Sequence, residues 1–269
     1  MTSQDAAGEA SRPGMLKRWQ IPTPIALLFA MNFALVIAPV LDFWLGSPFT
    51  RLRNLIHLDG EQTLQAWYSS MQWFCAGFLF GLLTLHAYQH HLRGLLAVGA
   101  FTLACIAFSI DEIASIHEWL GQKSDALLPG GSRQHTVLSR TGIWPILLGV
   151  PVLAVLAIVV LRMRDMFLPA PRALRLLATG VVIMFTGALV IELGANLIEK
   201  IPENRELNLG QLVVEEFMEM LGVSFIVWSA YELLQAQGFA LNVPGSMNSM
   251  SRLPGSAIEF AKARTHQDL

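Results

Sequence analysis

Residues 143–161 read IWPILLGVPVLAVLAIVVL, nineteen positions without a single charged side chain. An apolar stretch of about 20 residues is long enough to cross the hydrocarbon core of a bilayer as an α-helix. Similar stretches lie on both sides of it in the chain, at Thr23–Gly46, Trp67–Tyr88, Gly94–Leu120, Arg175–Ile198 and Leu212–Leu234. The sequence therefore predicts an all-α integral membrane protein, a bundle of six transmembrane helices that contacts the lipid bilayer.

The composition agrees with this interpretation. Of the 269 residues 54% are hydrophobic and only 14% are charged, whereas a soluble domain usually has about 25% charged residues. The net charge of −2 and the lack of a basic stripe exclude a nucleic-acid-binding protein. Cys75 and Cys105 both lie inside apolar stretches, so they do not form the disulfide framework of a secreted protein.

The basic residues predict which way the spans are oriented. An even number of spans places both termini on the same side, and the connection between the fourth and fifth spans contains four arginines, Arg162, Arg164, Arg172 and Arg175. Because basic loops stay in the cytoplasm, we expect both termini there. Residues 1–22 are then a cytoplasmic segment, residues 23–235 the transmembrane domain, and residues 236–269, rich in Pro, Gly and Ser, a flexible cytoplasmic tail.

Three of the predicted spans carry oxygen-bearing side chains at helical spacing in their outer halves. Residues at i, i+4 and i+7 share one face of a helix. These stripes are Asp111, Ser115 and Glu118 in the third span, Glu192, Asn196 and Glu199 in the fifth, and Glu215 and Glu219 in the sixth. Ionisable residues inside a membrane cost about 2.5–3.5 kcal/mol each on insertion scales and therefore usually have a function.

Several carboxylates in one place need protons or a cation to neutralise them. We therefore predict a divalent metal site with the ligands Asp111, Glu112, Glu192, Glu215, Glu216 and Glu219. Ser115, Asn196 and Glu199 are predicted to support it, and His117 and Glu118 to act as catalytic base or further ligand. Oxygen ligands favour Mn²⁺, iron, Mg²⁺ or Ca²⁺ over copper.

Two blocks of sequence resemble those of a known group of proteins. They are SIDEIASIHE at residues 109–118 and EEFMEMLG at residues 215–222. The pattern Ser-x-Asp-Glu-x4-His-Glu followed later by Glu-Glu-x2-Glu-x2-Gly is similar to that of uncharacterised bacterial multi-pass inner-membrane proteins. The resemblance covers two of the six helices directly. It implies a location in the cell inner membrane and no particular chemistry.

Three classes of function fit these observations. The first is a metal-dependent enzyme whose lipid-like substrate enters sideways from the membrane. The second is a cation or proton-coupled transporter, which discontinuous helices would favour, although the nearly uncharged inner halves of the spans argue against a continuous conduit. The third is a non-catalytic assembly or scaffold protein in which the polar stripes join helices.

Overall fold

The computed structural model describes residues 21–48, 50–58, 60, 63–198 and 205–238, which form helices and turns and no β-strand. The prediction of an all-α fold is therefore confirmed. Apart from residues 21–22 and 236–238, the predicted terminal segments lie outside the described residues. The α-helices are α1 (Thr23–Trp44), α2 (Thr50–Ile56), α3 (Leu64–Gln89), α4 (Leu95–Ala114), α5 (Ile116–Ser124), α6 (Val150–Met163), α7 (Pro171–Phe185), α8 (Glu192–Ile198) and α9 (Arg205–Ala236).

Five helical segments are long and apolar enough to cross a membrane. They are Thr23–Trp44, Leu64–Gln89, Leu95–Ala114, Pro145–Phe167 and Pro171–Ile198, and they correspond to the first five predicted spans. The sixth predicted span lies within α9, which is not among these five. Helix α1 ends, and α3 and α9 begin, at the end of the bundle where α5 lies. We term this end the α5 end.

Helix α9 occupies the centre of the bundle and packs against α1, α3, α7 and α8. Its closest approach is to α7, where a Cβ atom added to Gly180 would lie 2.6 Å from the carbonyl oxygen of Gly222. Small residues let two helix backbones approach this closely. Most of α9 is therefore covered by other helices, and its polar side chains between Gln211 and Ser229 are at least partly buried.

Helix α3 packs on α4 through polar side chains that form hydrogen bonds with each other and with the backbone of the opposite helix. The Ser70 hydroxyl donates to the carbonyl oxygen of Ser109 at 2.7 Å, and the Ser109 hydroxyl donates to that of Ser70 at 2.9 Å. Nearer the other end, the hydroxyls of Thr84 and Thr102 lie 3.0 Å apart. Hydrogen bonds of this kind hold helices together in an apolar environment.

The predicted third span, Gly94–Leu120, is not one continuous helix, so that prediction is wrong. Helix α4 ends at Ala114, Ser115 adopts a left-handed conformation (φ 48°, ψ 42°), and α5 starts at Ile116. The break is stabilised by Asp111, whose carboxylate accepts the backbone N–H of His117 at 2.9 Å and so caps the start of α5. Asp111, Ser115 and Glu118 consequently do not share one helical face.

Two further spans are irregular. Residues Pro145–Gly149 and Thr186–Ile191 form π-helical turns, which are rare and occur frequently at functional sites. The two turns pack on each other, because a Cβ atom added to Gly149 would collide with the side chain of Leu189. The second turn ends immediately before Glu192, so it sets the direction in which that carboxylate points.

Candidate functional site

Five glutamates from three helices meet near the α5 end of the bundle. The carboxyl group of Glu219 interacts electrostatically with the other four, and that of Glu215 is hydrogen-bonded to that of Glu192. Such a bond between two carboxyl groups needs a proton between them. We term this group the carboxylate cluster: Glu112 from α4, Glu192 from α8, and Glu215, Glu216 and Glu219 from α9.

The absence of a side chain at Gly187 allows the π-helical turn to lie against the cluster. A Cβ atom at this position would be 2.9 Å from the carbonyl oxygen of Glu215 and 3.1 Å from Cγ of Glu219. Such contacts are shorter than van der Waals distance, so the turn would have to move outwards. Gly187 thus brings α8, with Glu192, within reach of α9.

Neutral donors cover much of the cluster. The Gln65 side chain of α3 donates to Glu216, and the Gln211 side chain of α9 donates to Glu215. The Glu112 carboxylate accepts hydrogen bonds from Ser69 and Trp73 of α3. Gln211 is only 7% exposed, and its Oε1 has no hydrogen-bond partner within the described residues. The two glutamine amides thus form hydrogen bonds with carboxylate oxygens that a cation would otherwise bind.

A connecting loop supplies a positive charge. The guanidinium group of Arg140 interacts with the Glu215 carboxylate and donates to Oδ1 of Asn208 at 3.2 Å. Asn196 holds this loop in place: its Oδ1 accepts the backbone N–H of Arg140 at 3.0 Å, and its Nδ2 donates to Oγ1 of Thr141 at 2.9 Å. Asn196, predicted to support a metal, therefore supports the arginine that faces the cluster.

Asp111 lies beside the cluster and is fully engaged by His117. Its Oδ1 accepts the backbone N–H of His117, and its Oδ2 accepts the imidazole Nδ1–H at 2.8 Å. The His117 ring also packs on Trp144, with 5.2 Å between ring centroids. Burial alone would lower the pKa of His117, but the hydrogen bond and the negative charges of Asp111, Glu112 and Glu118 raise it above its ordinary value.

The other predicted site residues do not belong to the carboxylate cluster. Glu118 is exposed on α5, Ser115 is buried at the break between α4 and α5, and Glu199 lies outside the described residues. In the part of the chain that the structure describes, no group of three or more His, Cys, Asp or Glu side chains is arranged to hold a metal ion. The carboxylates are instead arranged around the glutamine amides.

Sequence reasoning did not identify Gln65, Gln211 and Arg140 as partners of the cluster. The signal for Gln65 was a weak one: it lies two residues before the second predicted span and seven residues before Gln72, so the two share a helical face only if the helix begins earlier than predicted. The signal for Arg140 was absent, because a loop arginine gives no indication of the helix on which it folds back.

The fold and the cluster define a helical protein with at least five apolar segments able to cross a membrane and a set of buried carboxylates at one end. The family described as "Domain of unknown function (DUF8692)" matches residues 25–233, and the chain belongs to this family. The match includes every residue of the carboxylate cluster. No curated protein and no solved structure matches the chain.

Proposed function

We propose that this is a six-span protein of the bacterial inner membrane, with α9 as the sixth span and both termini cytoplasmic, whose carboxylate cluster binds a divalent metal ion. The observation that carries the proposal is the meeting of five glutamates from three helices within an apolar bundle. Like charges in an apolar environment repel one another strongly. A cation relieves this repulsion most directly, and oxygen ligands favour Mn²⁺, iron, Mg²⁺ or Ca²⁺.

Metal binding in this proposal replaces the glutamine amides. Gln65 and Gln211 each donate to a carboxylate of the cluster, and rotation of these side chains would release the carboxylate oxygens towards a common ion. The Oε1 atom of Gln211, which is buried and without a partner within the described residues, is a further candidate ligand.

The adjacent His117 gives this site the parts of a metal-dependent enzyme. Asp111 fixes the imidazole through Nδ1, and such a bond leaves Nε2 available as a general base. In this proposal Asp111 is a positioning residue, and a lipid-like substrate reaches the metal and His117 from the bilayer. The half-exposed His117 side chain, 40% accessible, is consistent with that access.

The test is the metal content of the purified protein in detergent, measured by inductively coupled plasma mass spectrometry. Wild type is compared with Glu192→Gln and Glu215→Gln. Asp165→Asn serves as the matched control, because Asp165 is an exposed carboxylate in the last turn of the segment Pro145–Phe167 and is not part of the cluster.

Stoichiometric metal that is retained by Asp165→Asn and lost from both glutamine variants would support one shared site. A folded wild-type protein without metal, even after incubation with Mn²⁺, Fe²⁺, Mg²⁺ and Ca²⁺ separately, would refute metal binding. Circular dichroism of each variant establishes that it has kept its helices.

Proton-coupled cation transport is a second candidate, favoured by two particular observations. The carboxyl groups of Glu192 and Glu215 lie close enough to share a proton in a hydrogen bond. The helical path is also irregular at Ser115 and in both π-helical turns, and transporters commonly bind ions at interrupted helices. A transporter would exchange the proton of this pair for the cation.

A further inference from the structure

A second polar group lies deeper in the bundle, where α1, α3 and α9 meet. Asn32 of α1 and Ser224 of α9 are fully buried, and Gln72 of α3 is 1% exposed. The Asn32 Nδ2 donates to Ser224 Oγ at 3.0 Å, and the Gln72 Nε2 lies 3.1 Å from Asn32 Oδ1 and 2.8 Å from Ser224 Oγ. We term these three side chains the amide node.

The Gln72 amide nitrogen has more oxygen atoms around it than it has hydrogen atoms to donate. Besides the two oxygens above, Gln72 Nε2 lies 3.3 Å from the Tyr68 hydroxyl oxygen and 3.4 Å from the carbonyl oxygen of Met220. An amide nitrogen carries two hydrogen atoms, yet four oxygens surround this one. The Oε1 of the same amide has no hydrogen-bond partner within the described residues.

The node lies directly inward of the carboxylate cluster along the contact between α3 and α9. Both helices begin at the α5 end, and Gln65 of α3 contacts Glu216 of α9 in the cluster. Gln72 follows Gln65 by seven residues and Ser224 follows Glu216 by eight, which corresponds to about 10–12 Å of helix. The cluster and the node are thus successive polar positions on one helix contact.

We propose that the amide node is a second binding site for the cation of the carboxylate cluster, occupied after part of the hydration shell has been lost, so that the bundle moves the ion inwards. This inference rests on the proposed cation binding at the cluster. Rotation of the Gln72 amide would exchange Nε2 for Oε1 and complete a cage of five oxygens. Neutral oxygens bind such an ion weakly enough for it to leave.

The contact between α3 and α4 is an example of a buried polar contact with a purely structural role. Ser70 and Ser109 each donate to the other's backbone, and neither hydroxyl has an unused buried atom. A buried polar atom without a partner costs about 1–3 kcal/mol. The unpartnered Oε1 of Gln72 therefore indicates that this atom binds a ligand and does not serve only to hold the helices together.

The test uses the full chain reconstituted in liposomes that contain calcein, whose fluorescence Mn²⁺ quenches. We expect saturable Mn²⁺ entry in wild type and an initial rate at least tenfold lower in Gln72→Leu and in Ser224→Ala. Both variants should keep the wild-type Mn²⁺ stoichiometry in detergent, measured by electron paramagnetic resonance of the free ion. Ser229→Ala is the matched control, because Ser229 is also buried on α9 but donates to the backbone of Ala173.

The outcomes separate this inference from the proposed function. Wild-type rates in Ser224→Ala, which removes one oxygen, would overturn the inference once circular dichroism shows that the variant has kept its helices. Wild-type protein that binds Mn²⁺ and does not pass it would also overturn it. Wild-type protein that binds no Mn²⁺ in detergent would overturn the proposed function, and the inference with it. Loss of both binding and entry in Glu219→Gln, with loss of entry alone in Ser224→Ala, is the expected pattern.

Discussion

Two of the polar contacts that helix α3 makes, one with α4 and one with α9, differ in one respect. Against α4, the hydroxyls of Ser70, Ser109, Thr84 and Thr102 bond to each other and to backbone carbonyls. Against α9, Gln65 donates to the Glu216 carboxylate and Gln72 donates to the Ser224 hydroxyl oxygen. Both contacts are buried and polar. Only the second contains a buried amide oxygen, Oε1 of Gln72, that has no hydrogen-bond partner within the described residues.

This difference shows that polarity inside an apolar bundle does not by itself indicate a binding site. A satisfied pair of serines adds stability, whereas unsatisfied acceptors lower the stability of the empty protein. Residues that bind a ligand therefore tend to destabilise the protein in its absence. The two contacts should consequently respond to mutation with opposite signs of stability change.

The largest effect is expected for Glu219→Gln in the carboxylate cluster. Because Glu219 interacts with all four other carboxyl groups, the variant should lower the Mn²⁺ affinity by about a hundredfold, or about 2.7 kcal/mol, while raising the melting temperature of the metal-free protein. Titration followed by electron paramagnetic resonance and a thermal unfolding scan measure the two quantities. The exposed Glu206, on the same helix, provides the control Glu206→Gln, which should change neither.

The next largest effect is expected for Gly187→Ala in the π-helical turn. The new methyl group would be pressed against Glu215 and Glu219, and overpacking of this kind costs about 1–3 kcal/mol. Chemical unfolding in mixed micelles measures the loss. Gly194→Ala is the control: the space around that helical glycine is open, so the extra methyl should stabilise by about 0.5–1 kcal/mol. Equal effects at both positions would contradict the close contact.

A smaller loss is expected for Ser70→Ala at the contact between α3 and α4. Removing the hydroxyl breaks its bond to Ser109, and hydrogen bonds between membrane helices contribute on average about 0.6 kcal/mol and at most about 1.7 kcal/mol. The free energy of unfolding should fall by that amount and Mn²⁺ binding should stay at the wild-type level. A change in binding would mean that this contact is not purely structural.

The smallest effect concerns the pH dependence of stability from His117. Its folded-state pKa is raised, so protonation favours the folded state. The added stability is fully present below the ordinary pKa of about 6.5 and is lost as the pH rises through the folded-state pKa. For a half-exposed pair we expect less than about 1 kcal/mol. Melting temperatures of wild type and His117→Gln between pH 5 and 9 measure it, and parallel curves would contradict the assignment.

Hydropathy was sufficient to predict the helical fold and five of the spans, since long uncharged stretches have few alternatives to a membrane helix. Depth and helical spacing grouped Asp111 with Glu192, Glu215 and Glu219, and the structure places the three glutamates within electrostatic reach of one another. The break at Ser115 could not be predicted in this way. A left-handed serine is unfavourable on its own, and Asp111 and His117 stabilise it through contacts across the break.

The amides were harder to predict than the carboxylates. Glutamine and asparagine carry no charge, so Gln65, Gln211 and Asn32 do not stand out when a sequence is searched for ionisable groups in apolar helices. Their importance comes from the partner that each one meets on another helix or one turn away. Partners of this kind depend on the rotation of each helix about its axis, which an apolar pattern specifies only roughly.

The π-helical turn at Thr186–Ile191 makes the cluster sensitive to the length of the chain as well as to its chemistry. Such a turn holds one residue more than the α-helical path it replaces. Deletion of a single residue there would let the span become regular and turn Glu192 by about 100° relative to α7. Every glutamate would still be present and the span would still be apolar. A variant or relative shortened at this point could therefore keep all the recognisable residues and yet lack the site.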